Sequence, residues 1–145
     1  VKHSMMINMA AALSLAATPA TASISASYGS DTQTPAIGDS NDFFETDYFS
    51  VPSSVPDSGS IDHVTWAVGD YGLSNDSIAV ELCVKGEGSS GCTGDFTDYK
   101  GSTSQFSGRK ATTVFYLKIK IKTDVYQRFQ SNYTSRQQTR LEVYY

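Results

Sequence analysis

Apolar and polar side chains alternate with a period of two along several stretches of this chain. From Ile78 onward, Ile78, Val80, Leu82 and Val84 fall on one face, and Ala79, Glu81, Cys83 and Lys85 on the other. From Thr113 the alternation is longer: Thr113, Phe115, Leu117, Ile119 and Ile121 face one way, Tyr116, Lys118, Lys120 and Lys122 the other. One apolar and one polar face mark half-buried antiparallel strands. Further strands are predicted over residues 47–51, 61–68 (Val64, Trp66 and Val68 inward) and 139–145 (Leu141, Val143 and Tyr145 inward), with weaker signals at 24–28 and 96–99. Between them lie turn formers: Pro52 to Gly59, Gly69 to Gly72 and Ser74 to Ser77. Gly and Asn admit positive φ, and Pro and Asp favour turn starts. No stretch carries a convincing helical stripe; residues 125–135 are polar and would hold at most a helical turn. Short strands punctuated this often predict an all-β, antiparallel sandwich of jelly-roll-like form.

The N-terminus follows a different pattern. Lys2 and His3 precede an apolar run from Met5 to Ala17, then Thr18-Pro19 and the small residues Ala20-Thr21-Ala22. That order predicts a secretory signal peptide over residues 1–22, cleaved after Ala22. The alternative is a membrane anchor, but a run of some 13 residues falls short of the roughly 20 needed to span a bilayer. Residues 23–38 are rich in Ser, Thr and Gly and read as a flexible lead-in, leaving 39–145 as the sandwich domain. The expected destination is the periplasm, the cell surface or the medium.

That compartment changes the reading of the cysteines. Cys83 and Cys92 are the only two. An even count in an exported chain predicts a disulfide, here closing a turn-rich loop. Chain-entropy arguments put such a staple at about 2.5–3 kcal/mol. The alternative, a metal or redox pair, lacks the Cys-x-x-Cys spacing and a nearby His.

Charge narrows the partners. The chain carries 11 Lys+Arg against 15 Asp+Glu, which argues against nucleic acid, because phosphate binding rests on clustered cations. The distribution is uneven. Residues 23–99 hold 13 Asp/Glu and a single cation, Lys85, whereas residues 100–145 hold nine Lys/Arg against Asp124 and Glu142. Either late basic strands pair with early acidic ones in one sheet, or the molecule is polar and assembles with a partner or with itself.

Catalytic signatures are sparse. One His remains after residue 22, His63, so a multi-histidine zinc site is excluded. There is no Gly-x-Ser-x-Gly elbow and no P-loop. His63 reads as a hydrogen-bonded strand residue rather than a catalytic base. Two binding chemistries stand out instead. Asp39, Asn41, Asp42, Glu45 and Asp47 crowd one loop and offer hard oxygen ligands for Ca2+, the one cofactor the sequence suggests; the alternative is a solvated acidic turn. Tyr71, Tyr99, Tyr116 and Tyr144 are candidates for outward-facing ligand contacts, whereas Trp66 is assigned to the core.

The segment Gly38-Asp39-Ser40-Asn41-Asp42-Phe43-Phe44-Glu45-Thr46-Asp47-Tyr48-Phe49-Ser50-Val51 resembles the opening of bacterial pre-peptidase C-terminal (PPC-type) domains, with their Asp-rich loop and Asp-x-Tyr-Phe-x-Val strand. Phe115 to Ile119 and Leu141 to Tyr144 are similar to that family's closing strands. The resemblance implies a jelly-roll-like sandwich that accompanies secreted enzymes, in some relatives binding Ca2+ or extracellular polymers. The expectation is therefore a non-catalytic, secreted binding module for an extracellular polymer, carbohydrate or matrix, or for a surface protein. The alternative is a self-assembling structural subunit of a surface filament or layer.

Overall fold

The two strongest alternating segments pair with each other in the computed structural model, which describes residues 26–122 and 138–145. Strand β4 (Ile78–Val84) lies antiparallel to β7 (Phe115–Ile121), so Ile78 meets Ile121, Val80 meets Ile119 and Leu82 meets Leu117. The flanking strands of this sheet are short: β2 (Phe44–Glu45) beside β7, and β5 (Phe96–Thr97) beside β4. The second sheet contains β1 (Ser27–Gln33), β8 (Gln138–Tyr144), β3 (His63–Ala67) and β6 (Lys100–Thr103). We call the sheet of order β1-β8-β3-β6 sheet I, and that of order β2-β7-β4-β5 sheet II. The antiparallel pairs β1/β8, β2/β7, β3/β6 and β4/β5 are nested. Nesting of this kind, split over two packed sheets, is the jelly roll.

The core fills the space between the sheets. Val64, Trp66, Leu141 and Val143 of sheet I face Val80, Leu82, Leu117 and Ile119 of sheet II, all buried. Phe49, Ile61 and Phe106 from the connections close the ends. Each such large side chain contributes about 1.5–3 kcal/mol by leaving water. Trp66 packs edge-on to Phe96 at 5.1 Å between ring centres. Its indole also occupies the space where Gly101, directly opposite in β6, would place a side chain. A Cβ at position 101 would collide with the ring, so this crossing requires glycine.

Three expectations need correction. Residues 27–33 form β1 and are not a loose lead-in. Their inward positions are Tyr28, Ser30 and Thr32, all buried. Two of these are hydroxylated, so the apolar alternation that marks a strand is missing. The neighbouring Thr34 and Thr139 show how the sheet accommodates such groups: their hydroxyls bond each other at 2.7 Å, and Gly69 N–H donates to Thr139 Oγ1 at 3.2 Å. Burial of a hydroxyl is tolerated when it is hydrogen-bonded. Second, residues 47–51 are not a ladder strand. The ladder ends at Glu45, where Thr46 inserts its hydroxyl and accepts from Leu117 N–H at 3.0 Å. The chain then stays beside β7 only as far as Phe49, whose N–H bonds Phe115 O at 2.9 Å. Third, β6 lies where no strand was expected, because Lys100-Gly101-Ser102-Thr103 offers no apolar position. The predicted signal peptide and the polar stretch 125–135 lie outside the described residues.

Cys83 and Cys92 are joined as a disulfide. The bridge ties β4 to the end of the turn that follows it, on the outer side of sheet II.

Candidate functional site

Strand alternation delivers one side chain in two to the outer face of each sheet. On sheet I these are Ser27, Gly29 and Asp31 from β1, Arg140, Glu142 and Tyr144 from β8, and His63, Thr65 and Ala67 from β3. Register places Asp31 beside Arg140, and His63 beside Tyr144. The result is a continuous polar relay. Asp62 Oδ2 lies 2.7 Å from His63 Nδ1. The His63 imidazole stacks on the Tyr144 ring, 4.3 Å between centres and 7° from parallel. Tyr144 O–H donates to Glu142 Oε2 at 2.7 Å. Arg140 Nε donates to the other Glu142 oxygen at 3.1 Å, and Arg140 Nη1 donates to both Asp31 oxygens at 3.1 and 3.2 Å.

The electrostatics follow from those bonds. The Tyr144 hydroxyl, and then Arg140, hold the Glu142 carboxyl below its ordinary range. The same carboxylate raises the Tyr144 phenol, and Glu142 with Asp31 raises the Arg140 guanidinium. Charge-assisted bonds fix the heads of otherwise mobile side chains. Small residues flank the relay and leave a shallow cleft of about 340 Å3, lined by Thr65, Trp66, Ala67, Lys100, Gly101, Arg140 and Glu142. Donors (Lys100, Arg140) and acceptors (Glu142, Thr65) border the same depression. Among the described residues no hydroxyl or thiol bonds the remaining nitrogen of His63.

The outer face of sheet II is built differently. Lys118 stands between Glu45 of β2 and Glu81 of β4 in register. Lys120 pairs with Asp95 at 3.6 Å and lies 4.5 Å over the Phe43 ring. Lys85 lies 4.6 Å over Tyr48, which meets Tyr116 edge-on at 5.7 Å. Burial and the neighbouring Asp95 raise the Glu81 carboxyl above its ordinary range. Glu81 and the Cys83–Cys92 sulfurs gather within 4.8 Å, but the sulfurs are bonded to each other and offer no thiolate. Early acids and late cations thus pair within the molecule: Asp31 with Arg140, Glu87 with Arg109 and Asp95 with Lys120.

The residues expected to bind ligands are scattered. The carboxylates of Asp39, Asp42, Glu45 and Asp47 do not gather in threes within 4.8 Å. Asn41 turns the chain through a left-handed conformation (φ 66°) and its N–H bonds Ile121 O. Glu45 and Asp47 instead border a polar cleft of about 270 Å3 beside Gln33, Thr34, Pro35 and Ala36. Tyr71, Tyr99 and Tyr116 are buried, against the expectation of an outward tyrosine platform. Tyr71 O–H donates to Pro35 O, and the Tyr99 hydroxyl receives Tyr71 N–H and Leu73 N–H while donating to Leu73 O. Both tyrosines pin the connection that follows β3, and burial raises both phenols. Of the four candidates, only Tyr144 lies in the relay on sheet I. Asp31, Arg140 and Glu142 were not nominated by the sequence. The polar positions of β8 were legible opposite Leu141 and Val143, but Asp31 belongs to a strand without an apolar signal. Tyr48, the one large hydrophobic side chain more than half exposed among the described residues (53 %), was also missed.

No family model and no curated protein matches this sequence. The fold is similar to the crystal structure of FlhE, with a TM-score of 0.60 over 83 % of this chain and 96 % of that one. Identity across the match is 14 %, so the likeness is one of fold. Among the described residues no helix is long and apolar enough to cross a membrane. The formed disulfide is consistent with an oxidising, extracytoplasmic setting.

Proposed function

We propose that this protein is a non-catalytic binding module of the extracytoplasmic space, recognising a carbohydrate or matrix polymer, or a surface protein, through the outer face of sheet I. The carrying observation is the relay from Asp62 to Asp31 beside the cleft of Thr65, Lys100, Arg140 and Glu142. Its charged heads are held by one another before any ligand arrives, which lowers the ordering cost of binding. A polyhydroxylated chain offers donors and acceptors in alternation, matching the mixed lining of the cleft. Likeness in fold to FlhE supports the sandwich scaffold on which this outer face is displayed, and the Cys83–Cys92 disulfide supports the extracytoplasmic setting. The PPC-type resemblance of residues 38–51 supports the same class of accessory module.

The test is retention on insoluble peptidoglycan, on other bacterial polysaccharides and on a glycan panel, comparing wild type with Arg140→Ala and Glu142→Gln. Retention should fall at least about tenfold in both variants, while their melting temperatures stay close to wild type, because solvent screens exposed ion pairs. Absence of wild-type retention on every polymer sinks the polymer reading. Retention that neither variant changes moves the binding away from sheet I.

A further inference from the structure

A jelly roll exposes four edge strands, and here they differ sharply. On sheet II the edges are β2 and β5, each of 2 residues. On sheet I, β6 has 4 residues and begins with Lys100. Shortness and lysine are the usual means by which an edge is kept from pairing with another chain. The remaining edge, β1, has 7 residues, Ser27–Gln33, and contains no Lys, no Pro and no bulge in its pairing with β8.

The backbone phase of β1 is fixed by its inner neighbour. Ala26 and Tyr145 exchange both hydrogen bonds, at 2.7 and 2.9 Å. Alternate residues Tyr28, Ser30 and Thr32 therefore bond β8, and Ser27, Gly29, Asp31 and Gln33 direct N–H and C=O away from it. The side chains of this second set are the outward ones of the strand. Next to them lies an incompletely used cation. Arg140 gives Nε to Glu142 and Nη1 to Asp31, whereas Nη2 lies over Gly29, where a Cβ would collide with it, and has no acceptor among the described residues.

We propose that β1 is a self-recognition edge, at which two copies of the chain pair antiparallel about a two-fold axis at Ser30 and join their sheets I into one. Gly29 then stands opposite the partner's Asp31, and Ser27 opposite the partner's Gln33. Each of these residues turns an N–H and C=O that bond no other described strand toward the partner strand. The axis is perpendicular to the sheet, so both outer faces lie on the same side. The partner's Asp31 carboxylate therefore comes to the Arg140 Nη2 that overlies Gly29, and the exchange is reciprocal, as a two-fold interface requires. Centring on Asp31 instead would set like charges face to face, which disfavours that register. The absence of a side chain at Gly29 gives the guanidinium its place at the edge. A single strand pair buries little surface, so the association is concentration-dependent and weakened by salt. The pairing shares Asp31 and Arg140 with the proposed binding relay, but it does not require that reading, and its test uses no ligand.

Sedimentation velocity over a concentration series, on protein purified from the exported fraction of an expressing host, reads the result directly. Wild type should shift from monomer to dimer with concentration. Asp31→Arg should raise the dimer dissociation constant at least about tenfold, because it removes both reciprocal pairs and opposes the cation. Gln33→Pro should also raise it, since it deletes an edge N–H that β8 does not use. The exchange D31R/R140D should restore the dimer, because it rebuilds the same pairs with reversed sign. Circular dichroism melts of the three variants identify any that fail to fold. A wild-type chain that stays monomeric at about 0.5 mM, a dimer that D31R or Q33P leaves intact, or a folded exchange variant that stays monomeric overturns the proposal.

Discussion

The outer faces of the two sheets use similar residues for opposite ends. On sheet II, lysines lie over Phe43 and Tyr48, flank carboxylates, and sit near a covalent staple. On sheet I, the cation and carboxylates line up in a relay over small residues, with no staple and an open cleft beside them. Strands β2 and β5 of sheet II contribute 2 residues each, so its outer face needs support from side chains. Sheet I has three long or medium strands and no such need. The difference shows that charged side chains on a β-sandwich can either cover a weakly laddered sheet or remain presented to solvent, depending on what lies beneath them.

That contrast is open to attack. The largest effect is expected from Cys83→Ala/Cys92→Ala. Loss of the staple should cost about 2.5–3 kcal/mol in urea unfolding, with amide exchange accelerated in β4 and β5 more than in β1 and β8. Equal acceleration in both sheets would mean that the staple serves the whole fold. Next, Gly101→Ala pushes a methyl group into the Trp66 ring and should cost about 1–3 kcal/mol, with a change in tryptophan fluorescence. An unchanged melt would show that β6 yields freely and that the floor of the cleft is soft.

The smallest effect concerns pH. The folded-state Glu142 carboxyl is held below its ordinary range by Tyr144 and Arg140. Its contribution to stability is therefore fully present above the ordinary carboxylate range and is lost as pH falls through the lowered value. Tyr144→Phe removes the leading cause. The difference in melting temperature between wild type and Y144F should be small at pH 7 and should vanish once the pH has fallen through the lowered Glu142 value. A difference that persists in acid would assign the role of the Tyr144 hydroxyl to its other partner, Thr65.

The fold was legible where burial is apolar. Ile78 to Val84, Phe115 to Ile121 and Leu141 with Val143 announce β4, β7 and β8 by alternation, and the export argument announced the disulfide. It was illegible where burial is by hydroxyls or by glycine. Ser30 and Thr32 hide β1, and Gly101 hides β6, since it leaves its inward space to Trp66. The site suffered the same loss, because Asp31 sits on the hidden strand. Tyrosine number also misled. Tyr71 and Tyr99 were counted as surface groups, yet each is buried with its hydroxyl bonded to backbone, a role that composition does not reveal.

The nesting of strands also orders events in time. Sheet II contains the β4/β5 pair and a disulfide whose cysteines are 9 residues apart, both closed through short loops, before β7 joins β4 and β2. Sheet I is completed only when β8 enters between β1 and β3, and the Thr34–Thr139 hydroxyl pair spans a separation of 105 residues. Closing such distances slows folding, placing chains of this topology in the millisecond-to-second range. Completion of the face proposed to bind is therefore expected to come late. Among the described strands β1 pairs only with β8, so until β8 arrives the edge inferred to recognise a second copy has no sheet to extend.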